Sequence, residues 1–409
     1  MWSDLTNSKV VDLDSDIKNE LIDMDIIIDS ESDELLKVKD RYFNYIYNDK
    51  VLHLTIMPTN ACNFACPYCF SYEKGHSRMD EKTYNSILDL IDMKSEQIED
   101  VIILWFGGEP TLFNDDIIAF MNVVQKKCKE KEIGLYSSII TNGYLLTVDA
   151  FKDMYKSGIV QYQVTLDGSK NTHDDLRYLK GGKGTFDHIL NNLKEISNLS
   201  SDYSFKFDIR CNVTKANYES AKLLIDIFDE KFSDDKRFKI YFRPVYNYET
   251  KENEIDTIAD DLFSMDEGID MQNKMYMLTE KTTKRVGNRR LFNPLPLPTN
   301  SWCAAELKNF FLIGPDGALF FCDTLTGDEY SYGSIEDVLN HKLIDKPDGN
   351  IFKNEKAKKC IDCRLLPICF GGCMRNRINK EPECYWKESN IQKSFVDFIN
   401  DLEGGESCE

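Results

Sequence analysis

Hydrophobic residues recur along the chain in two alternating patterns, one typical of buried strands and one typical of amphipathic helices. Short runs rich in β-branched and other apolar residues indicate the strands. Longer stretches with apolar residues at every third or fourth position indicate the helices. The predicted strands are residues 52–57, 101–106, 136–141, 160–166, 205–213 and 239–245. The predicted helices are residues 80–93, 115–131, 148–157, 185–199 and 216–232.

A strand followed by a helix, repeated about six times, predicts an α/β fold with a parallel sheet and crossover helices. Right-handed crossovers leave two architectures, an open doubly wound sheet or a barrel. The hydrophobic pattern alone does not choose between them.

The regular pattern ends near residue 245. A predicted helix at 256–279 and a proline-rich stretch at 293–298 follow, and the latter is typical of an extended linker. Beyond it, Gly-Pro-Asp-Gly at 314–317 predicts a hairpin between strands 310–313 and 318–322. Ser334 is placed to cap a short helix. Residues 360–384 are predicted to form a cysteine-rich loop.

These changes divide the chain into five predicted segments. Residues 1–50 form an acidic N-terminal appendage, a candidate for the remnant of a substrate-recognition module. The other segments are the α/β part at 51–250, a helical and proline-rich bridge at 251–300, a cysteine-rich domain at 301–390, and a C-terminal helix and tail at 391–409.

Composition and charge exclude several classes of protein. With 42% hydrophobic residues the chain can bury a core, which argues against disorder. The net charge of −20 and the absence of a basic tract argue against a nucleic-acid partner. No apolar run reaches the roughly 18 residues of a membrane span, and the N-terminus has no signal-peptide pattern. We therefore expect a cytoplasmic protein without a membrane partner.

The 13 cysteines are clustered rather than scattered. Cys62, Cys66 and Cys69 form a Cys-x₃-Cys-x₂-Cys run directly after the first predicted strand. Three thiolates on one loop can hold three irons of a [4Fe–4S] cube and leave the fourth iron open for a ligand. A structural zinc site normally takes four protein ligands, so this run fits zinc poorly.

This motif resembles that of the radical S-adenosylmethionine (SAM) enzymes, and further segments match the family in order. In the family, the segment corresponding to Gly107-Gly108-Glu109 binds the amino group of SAM, and the position of Arg210 pairs with its carboxylate. A structural salt bridge is the alternative role for Asp167 and Arg210. The resemblance assigns SAM binding to Tyr68, Gly107, Gly108, Glu109, Thr141, Asn142, Asp167 and Arg210.

The resemblance also selects the barrel. It implies a partial (β/α)₆ TIM-like barrel with its chemistry at the carboxyl ends of the strands, where barrel enzymes place their active sites. It implies SAM as cofactor and a [4Fe–4S] cluster on Cys62, Cys66 and Cys69, which would carry the catalysis.

The cysteines after residue 300 resemble those of a SPASM domain, which carries two auxiliary [4Fe–4S] clusters and brings the expected total to three. The ligand pattern of the family implies that one cluster is bound by an outer quartet, Cys360, Cys363, Cys369 and Cys384. It implies that the other cluster is bound by an inner trio, Cys303, Cys322 and Cys373. No cysteine follows closely after Cys303, so the fourth inner position is either open or filled by a distant residue such as Cys408.

Asp323, next to Cys322, matches the catalytic base of the sulfatase-maturating branch. The alternative is a carboxylate that accepts hydrogen bonds from loop amides.

SPASM enzymes commonly modify peptides. The resemblance implies that a 5′-deoxyadenosyl radical abstracts hydrogen from a ribosomally made peptide, and that the favoured product is an intramolecular Cys thioether. A carbon–carbon crosslink, oxidation of a sulfatase Cys or Ser to formylglycine, and a zinc-binding adaptor protein are the alternatives. The implied partners are a precursor peptide and an electron donor such as flavodoxin or ferredoxin, in an oxygen-poor compartment.

Overall fold

Six parallel strands lie side by side in the order in which they occur in the chain. They are β1 Val51–Ile56, β2 Asp100–Trp105, β3 Gly134–Thr141, β4 Ile159–Thr165, β5 Lys206–Val213 and β6 Phe238–Pro244. A doubly wound sheet would reverse its order at a switch point, whereas a barrel keeps the order consecutive. The order therefore confirms the predicted partial (β/α)₆ barrel.

The computed structural model describes residues 33–69, 77–247, 254–282, 298–342 and 346–379, together with residues 19 and 344 and isolated positions from 382 to 396. The described chain divides into two units, one ending at Asn44 and the other beginning at Tyr45. Most of the predicted N-terminal appendage, the proline-rich stretch, most of the C-terminal helix and tail, and Cys408 lie outside the described residues.

Helices connect the strands and cover the sheet. α1, Glu34–Ile46, precedes β1 and is not one of them. The longer ones are α2 Glu81–Lys94, α3 Asn114–Glu130, α4 Val148–Lys156, α5 Lys170–Leu176, α6 Phe186–Ser197, α7 Tyr218–Phe232 and α8 Met265–Thr282. Asp80 caps α2 by accepting a hydrogen bond from the N–H of Thr83 at 2.8 Å, and Ile87, Leu90 and Ile91 on its inner side are buried. The core thus lies between the outer face of the sheet and these helices.

The hairpin after residue 300 joins the barrel sheet. Strands β7 Phe310–Ile313 and β8 Ala318–Phe320 are antiparallel, which confirms the predicted hairpin, although its second strand ends at Phe320. β7 also pairs in parallel with β1. The short β9, Gly333–Ser334, is the last strand at this edge of a nine-stranded sheet. Hydrogen bonds between strands that are far apart in sequence thus place the hairpin beside the strand that precedes the first cysteines.

Short helices follow the hairpin. Ser334 caps α9, Ile335–Leu339, through a reciprocal capping box with Asp337, as predicted. The cysteine-rich stretch predicted as a loop contains three helical turns, α10 Lys358–Ile361, α11 Leu366–Cys369 and α12 Met374–Asn379. They are too short to produce a helical pattern in the sequence.

Candidate active site

The loop after β1 brings its three cysteines together. Burial raises the pKa of the Cys62 thiol to about 11 and that of the Cys66 thiol to about 12, and the charge of Cys69 raises both further. The three sulfurs therefore lie within electrostatic range of one another. Such thiols stay protonated unless a cation is bound, because thiolates are stabilised by metal charge.

Gly107 and Gly108 let the loop after β2 approach the cysteine loop. A Cβ atom on Gly108 would lie 2.1 Å from the carbonyl oxygen of Ala61, and one on Gly107 would lie 2.4 Å from that of Thr59. The N–H of Gly108 donates to the same Thr59 oxygen at 3.0 Å. In the structure these glycines make room for the chain's own backbone, and the ligand contact assigned to them from the sequence stays a prediction.

Glu109 lies in the loop after β2, and its side chain is buried. Its Oε1 accepts hydrogen bonds from Thr141 Oγ1 at 2.5 Å and from the backbone of Thr111 at 3.0 Å. Its Oε2 accepts from the backbone of Asn142 at 2.7 Å. Burial raises the pKa of Glu109, and these donors oppose the rise. Three residues predicted to bind SAM, Glu109, Thr141 and Asn142, therefore form one hydrogen-bonded group.

Asn142 links this group to the cysteine loop. Its Nδ2 donates to Asn63 Oδ1 at 2.7 Å, one residue after Cys62. Its Oδ1 accepts from the N–H of Tyr144 at 3.0 Å, which fixes the orientation of the side-chain amide.

Asp167 and Tyr68, a residue of the cysteine loop, belong to a second hydrogen-bonded group. The Tyr68 hydroxyl donates to Asp167 Oδ2, and the N–H of Asn212 donates to Oδ1 at 2.8 Å. The Arg177 guanidinium donates to the Tyr68 oxygen at 2.6 Å and lies 3.9 Å from Asp167. Burial raises the pKa of Asp167, while Arg177 opposes this rise. The ion-pair partner of Asp167 in the structure is therefore Arg177, whereas sequence reasoning had named a salt bridge as the alternative role for Asp167 and Arg210.

Arg210 connects the barrel to the hairpin region. Its Nε donates to Asn212 Oδ1 at 2.8 Å. Its charge opposes the rise that desolvation by the surrounding protein causes in the pKa of Asp323. Asp323 also accepts from the thiol of Cys322 through Oδ1, 3.7 Å away. The structure thus brings Asp323 towards the strand end that carries Arg210.

The C-terminal cysteines separate into two groups. Desolvation by the surrounding protein raises the pKa of Cys303 to about 11 and that of Cys322 to about 12, with further increases from the charges of Cys373 and Cys303, respectively. Burial also raises the pKa values of Cys360 and Cys369, which are raised further by the other members of the outer quartet. These interactions group the residues as the inner trio and the outer quartet.

The donor chemistry of these groups fits iron–sulfur clusters. Soft thiolates are the ligands that such clusters take. Among the described residues, no group of three or more His, Cys, Asp or Glu side chains is arranged to hold a metal ion. A four-iron cube binds its cysteines at separate corners, so its sulfurs lie farther apart than the ligands of one zinc ion.

Two charged residues near the cysteine groups were not predicted as site residues from the sequence. Arg177 is 8% exposed and lies beneath the first cysteines. Lys346 lies near Cys303 and donates to the Leu307 carbonyl at 2.7 Å, and burial lowers its pKa to about 8. Neither residue stands beside a cysteine in the sequence, so no local spacing could have identified them.

Comparison with known proteins identifies a family match over part of the chain. Residues 56–225 match the radical SAM superfamily. The chain is an enzyme, and the match supports SAM and a [4Fe–4S] cluster as its cofactors, as the resemblance of the cysteine motif implied. None of the described helices is both long and apolar enough to cross a membrane.

Relatives of this chain match it beyond residues 56–225. A cysteine-type anaerobic sulfatase-maturating enzyme of Clostridium novyi (strain NT) is 27% identical over 359 residues, or 81% of this chain and 90% of that enzyme. The solved structure of native anSMEcpe with bound AdoMet and Cp18Cys peptide has a TM-score of 0.58 at 20% identity and covers 87% of this chain and 97% of its own.

A second solved structure is that of Streptococcus suis SuiB bound to precursor peptide SuiA. It has a TM-score of 0.58 at 21% identity, and the match covers 92% of this chain and 89% of that one. At such identities the two structures support the fold alone.

Proposed function

We propose that this enzyme crosslinks a ribosomally made peptide by joining a Cys sulfur to a carbon of another residue. The observation that carries the proposal is the inner trio, which has three thiols and, among the described residues, no fourth cysteine grouped with them. An iron with an open position binds a substrate thiolate and lowers the pKa of its thiol. A peptide substrate is supported by SuiB, which is similar in fold and was solved with its precursor peptide.

The first cysteine loop and the strand ends would hold the cofactors. Cys62, Cys66 and Cys69 are the proposed ligands of the first cluster, which when bound supplies the electron for reductive cleavage of SAM. The proposed SAM contacts are Tyr68, Gly107, Gly108, Glu109, Thr141, Asn142, Asp167 and Arg210. Glu109 and Asp167 supply carboxylates and Arg210 supplies a guanidinium, which suit the ammonium and carboxylate of an amino acid.

We assign the auxiliary clusters to residues 301–390, with the inner trio holding one and the outer quartet holding the other. Crosslinking breaks one C–H bond and one S–H bond of the peptide and forms one C–S bond. The hydrogen atom would leave with the 5′-deoxyadenosyl group, an oxidised auxiliary cluster held by these cysteines would accept the remaining electron, and the thiol proton would be released. A flavodoxin- or ferredoxin-type protein would deliver the electron that reduces the first cluster.

A second candidate function is oxidation of a sulfatase Cys or Ser to formylglycine. Asp323 favours it, because its carboxylate lies beside Cys322 and within electrostatic range of Arg210, where it can remove a substrate proton. The 27% identity to a cysteine-type sulfatase-maturating enzyme also favours it. The absence of a cysteine close after Cys303 argues for the crosslinking reaction instead.

The test is anaerobic co-expression with the short peptides encoded beside this gene, followed by intact and tandem mass spectrometry. A thioether maturase removes two hydrogens per linkage and leaves one cysteine that no longer reacts with iodoacetamide. Cys373→Ala, which removes one member of the inner trio, should abolish this product. Cys128→Ala is the matched control, because this buried cysteine lies on α3 away from both cysteine groups.

Three other outcomes would overturn the thioether. Loss of two hydrogens with all cysteines still reactive would identify a carbon–carbon crosslink. An unchanged peptide, combined with conversion of a sulfatase-derived Cys peptide to an aldehyde that Asp323→Asn abolishes, would identify the oxidase. Zinc without inorganic sulfide in the purified chain would favour an adaptor protein.

A further inference from the structure

The cysteine loop is held in place by the segment that follows α5. Residues 178–180 run antiparallel to residues 63–65, with Leu179 opposite Phe64. One backbone N–H from each segment donates to a carbonyl of the other, at 3.0 and 2.9 Å. The backbone between Cys62 and Cys66 is therefore held in place by the β4–α6 connection.

Arg177 directly precedes this segment, and its side chain is buried beneath the loop with 8% exposed. Its Nη1 donates to the Tyr68 hydroxyl at 2.6 Å, and its guanidinium carbon lies 5.6 Å from the centre of the Phe64 ring. Within the part of the chain that the structure describes, its Nε is buried without a hydrogen-bond partner. A buried guanidinium that leaves one donor unsatisfied is costly, so its retention calls for a role beyond packing.

The charge of Arg177 lies beside the cysteine run. Tyr68, which accepts its hydrogen bond, lies between Cys66 and Cys69 in the chain, and Phe64, whose ring it faces, lies between Cys62 and Cys66. Asp167, 3.9 Å away, partly balances this charge. Arginine is not deprotonated in proteins, so the positive charge is permanent. In a low-dielectric interior such a charge stabilises the more negative state of any neighbouring redox group.

We propose that Arg177 is a positioning residue that raises the reduction potential of the first [4Fe–4S] cluster. One electron from a low-potential donor, such as a ferredoxin or titanium(III) citrate, adds one negative charge to the cluster, and the guanidinium stabilises it. The same side chain orients Tyr68, which lies between Cys66 and Cys69. The inference rests on the proposed ligand role of Cys62, Cys66 and Cys69, and it does not depend on which peptide is modified.

The test is a redox titration of the full-length, anaerobically reconstituted enzyme followed by electron paramagnetic resonance, with and without SAM. The signal that changes when SAM is added belongs to the first cluster. Arg177→Gln removes the charge, and Arg177→Lys retains it. Arg237→Gln is the matched control, since Arg237 is 16% exposed, pairs with Asp235 at 2.7 Å and lies at the amino end of β6.

Arg177→Gln should lower the reduced-to-oxidised ratio of the SAM-sensitive signal at least tenfold at a fixed potential, a 59 mV shift for one electron. Arg177→Lys should remain closer to the wild type, and Arg237→Gln should not shift. An Arg177→Gln enzyme with unchanged iron content and the wild-type midpoint would overturn the proposal.

If Arg177→Gln loses its first cluster, Arg177→Lys decides the question. Retention of iron and of the SAM-sensitive signal in the lysine variant supports the role of the charge, and equal loss in both variants overturns it. A wild-type enzyme that contains iron but shows no SAM-sensitive signal would instead overturn the ligand assignment, and this inference with it.

Discussion

The first cysteine loop (residues 62–69) and the C-terminal cysteine group (the inner trio and outer quartet) are positioned in different ways. The first is a single loop after a buried strand, and backbone hydrogen bonds connect it to residues 178–180. The residues just before it, Thr59 and Ala61, accept backbone hydrogen bonds from the loop after β2. The second is spread over residues 303–384, in a hairpin and short helical turns.

In the C-terminal group, a buried ion pair joins segments that are distant in the sequence. Arg377, on α12 just after Cys373, donates to Glu306 at 2.6 Å, and the two side chains are 0% and 1% exposed. Glu306 ends the helical turn that follows Cys303. The first cysteine loop thus depends on the rigidity of the barrel, whereas the C-terminal group depends on side-chain interactions between distant segments.

The largest expected effect comes from removing the first three thiols. Replacing Cys62, Cys66 and Cys69 together by Ala should abolish reductive cleavage of SAM, because no ligand remains for the first cluster. Cys360→Ala, in the outer quartet, should lower product formation more than SAM cleavage. The measurement is 5′-deoxyadenosine release by chromatography. Continued release by the triple variant would contradict the ligand assignment.

Arg377→Gln should damage the C-terminal group selectively. Removing one partner of a buried ion pair leaves an uncompensated charge, which costs about 3–5 kcal/mol. We expect loss of auxiliary iron while the SAM-sensitive signal of the first cluster persists. Iron analysis and spectroscopy of the purified variant measure both, and Lys353→Gln, which removes an exposed ion pair with Asp348, is the control.

Gly108→Ala tests the backbone support of the first cysteine loop. The new Cβ would meet the Ala61 carbonyl at 2.1 Å, so one of the two loops must move, at a cost of about 1–3 kcal/mol. The variant should take up less iron into the first cluster. Gly181→Ala is the control, because no atom lies within 4 Å of a Cβ there. Equal cluster content in both variants would show that the contact is not needed.

His173, which accepts a hydrogen bond near the first cysteine loop, should make the free energy of unfolding depend on pH. Its Nδ1 accepts from the N–H of Asp167 at 3.1 Å, and burial lowers its pKa well below the usual 6.5. Below pH 6.5 the unfolded chain binds a proton here that the folded chain does not. The free energy of unfolding should therefore fall as the pH falls, by at most about 1.4 kcal/mol per unit.

Denaturant titrations at pH 7.5 and 5.5 measure this effect. His173→Gln should reduce the difference in stability between the two pH values. An unchanged difference would assign the pH dependence to other groups.

Strong local patterns made the barrel predictable. The six strands and five helices of the barrel lie within two residues of their predicted bounds, because their apolar periods are long and regular. The helix α5 was not predicted, because its seven residues are mostly polar and give no such period. The cysteine motifs were visible because their spacing is local.

The sequence by itself determined the strand–helix alternation, the hairpin, and the match of residues 56–225 to the radical SAM superfamily. Only the tertiary structure decided that β7 pairs with β1, that Gly108 faces Ala61, and that Arg177 donates to Tyr68 in the first cysteine loop. The physical reason is the distance along the chain over which each effect acts. Periodicity and motif spacing act between residues close in the chain, whereas buried charges and strand pairing depend on which distant segments share a core.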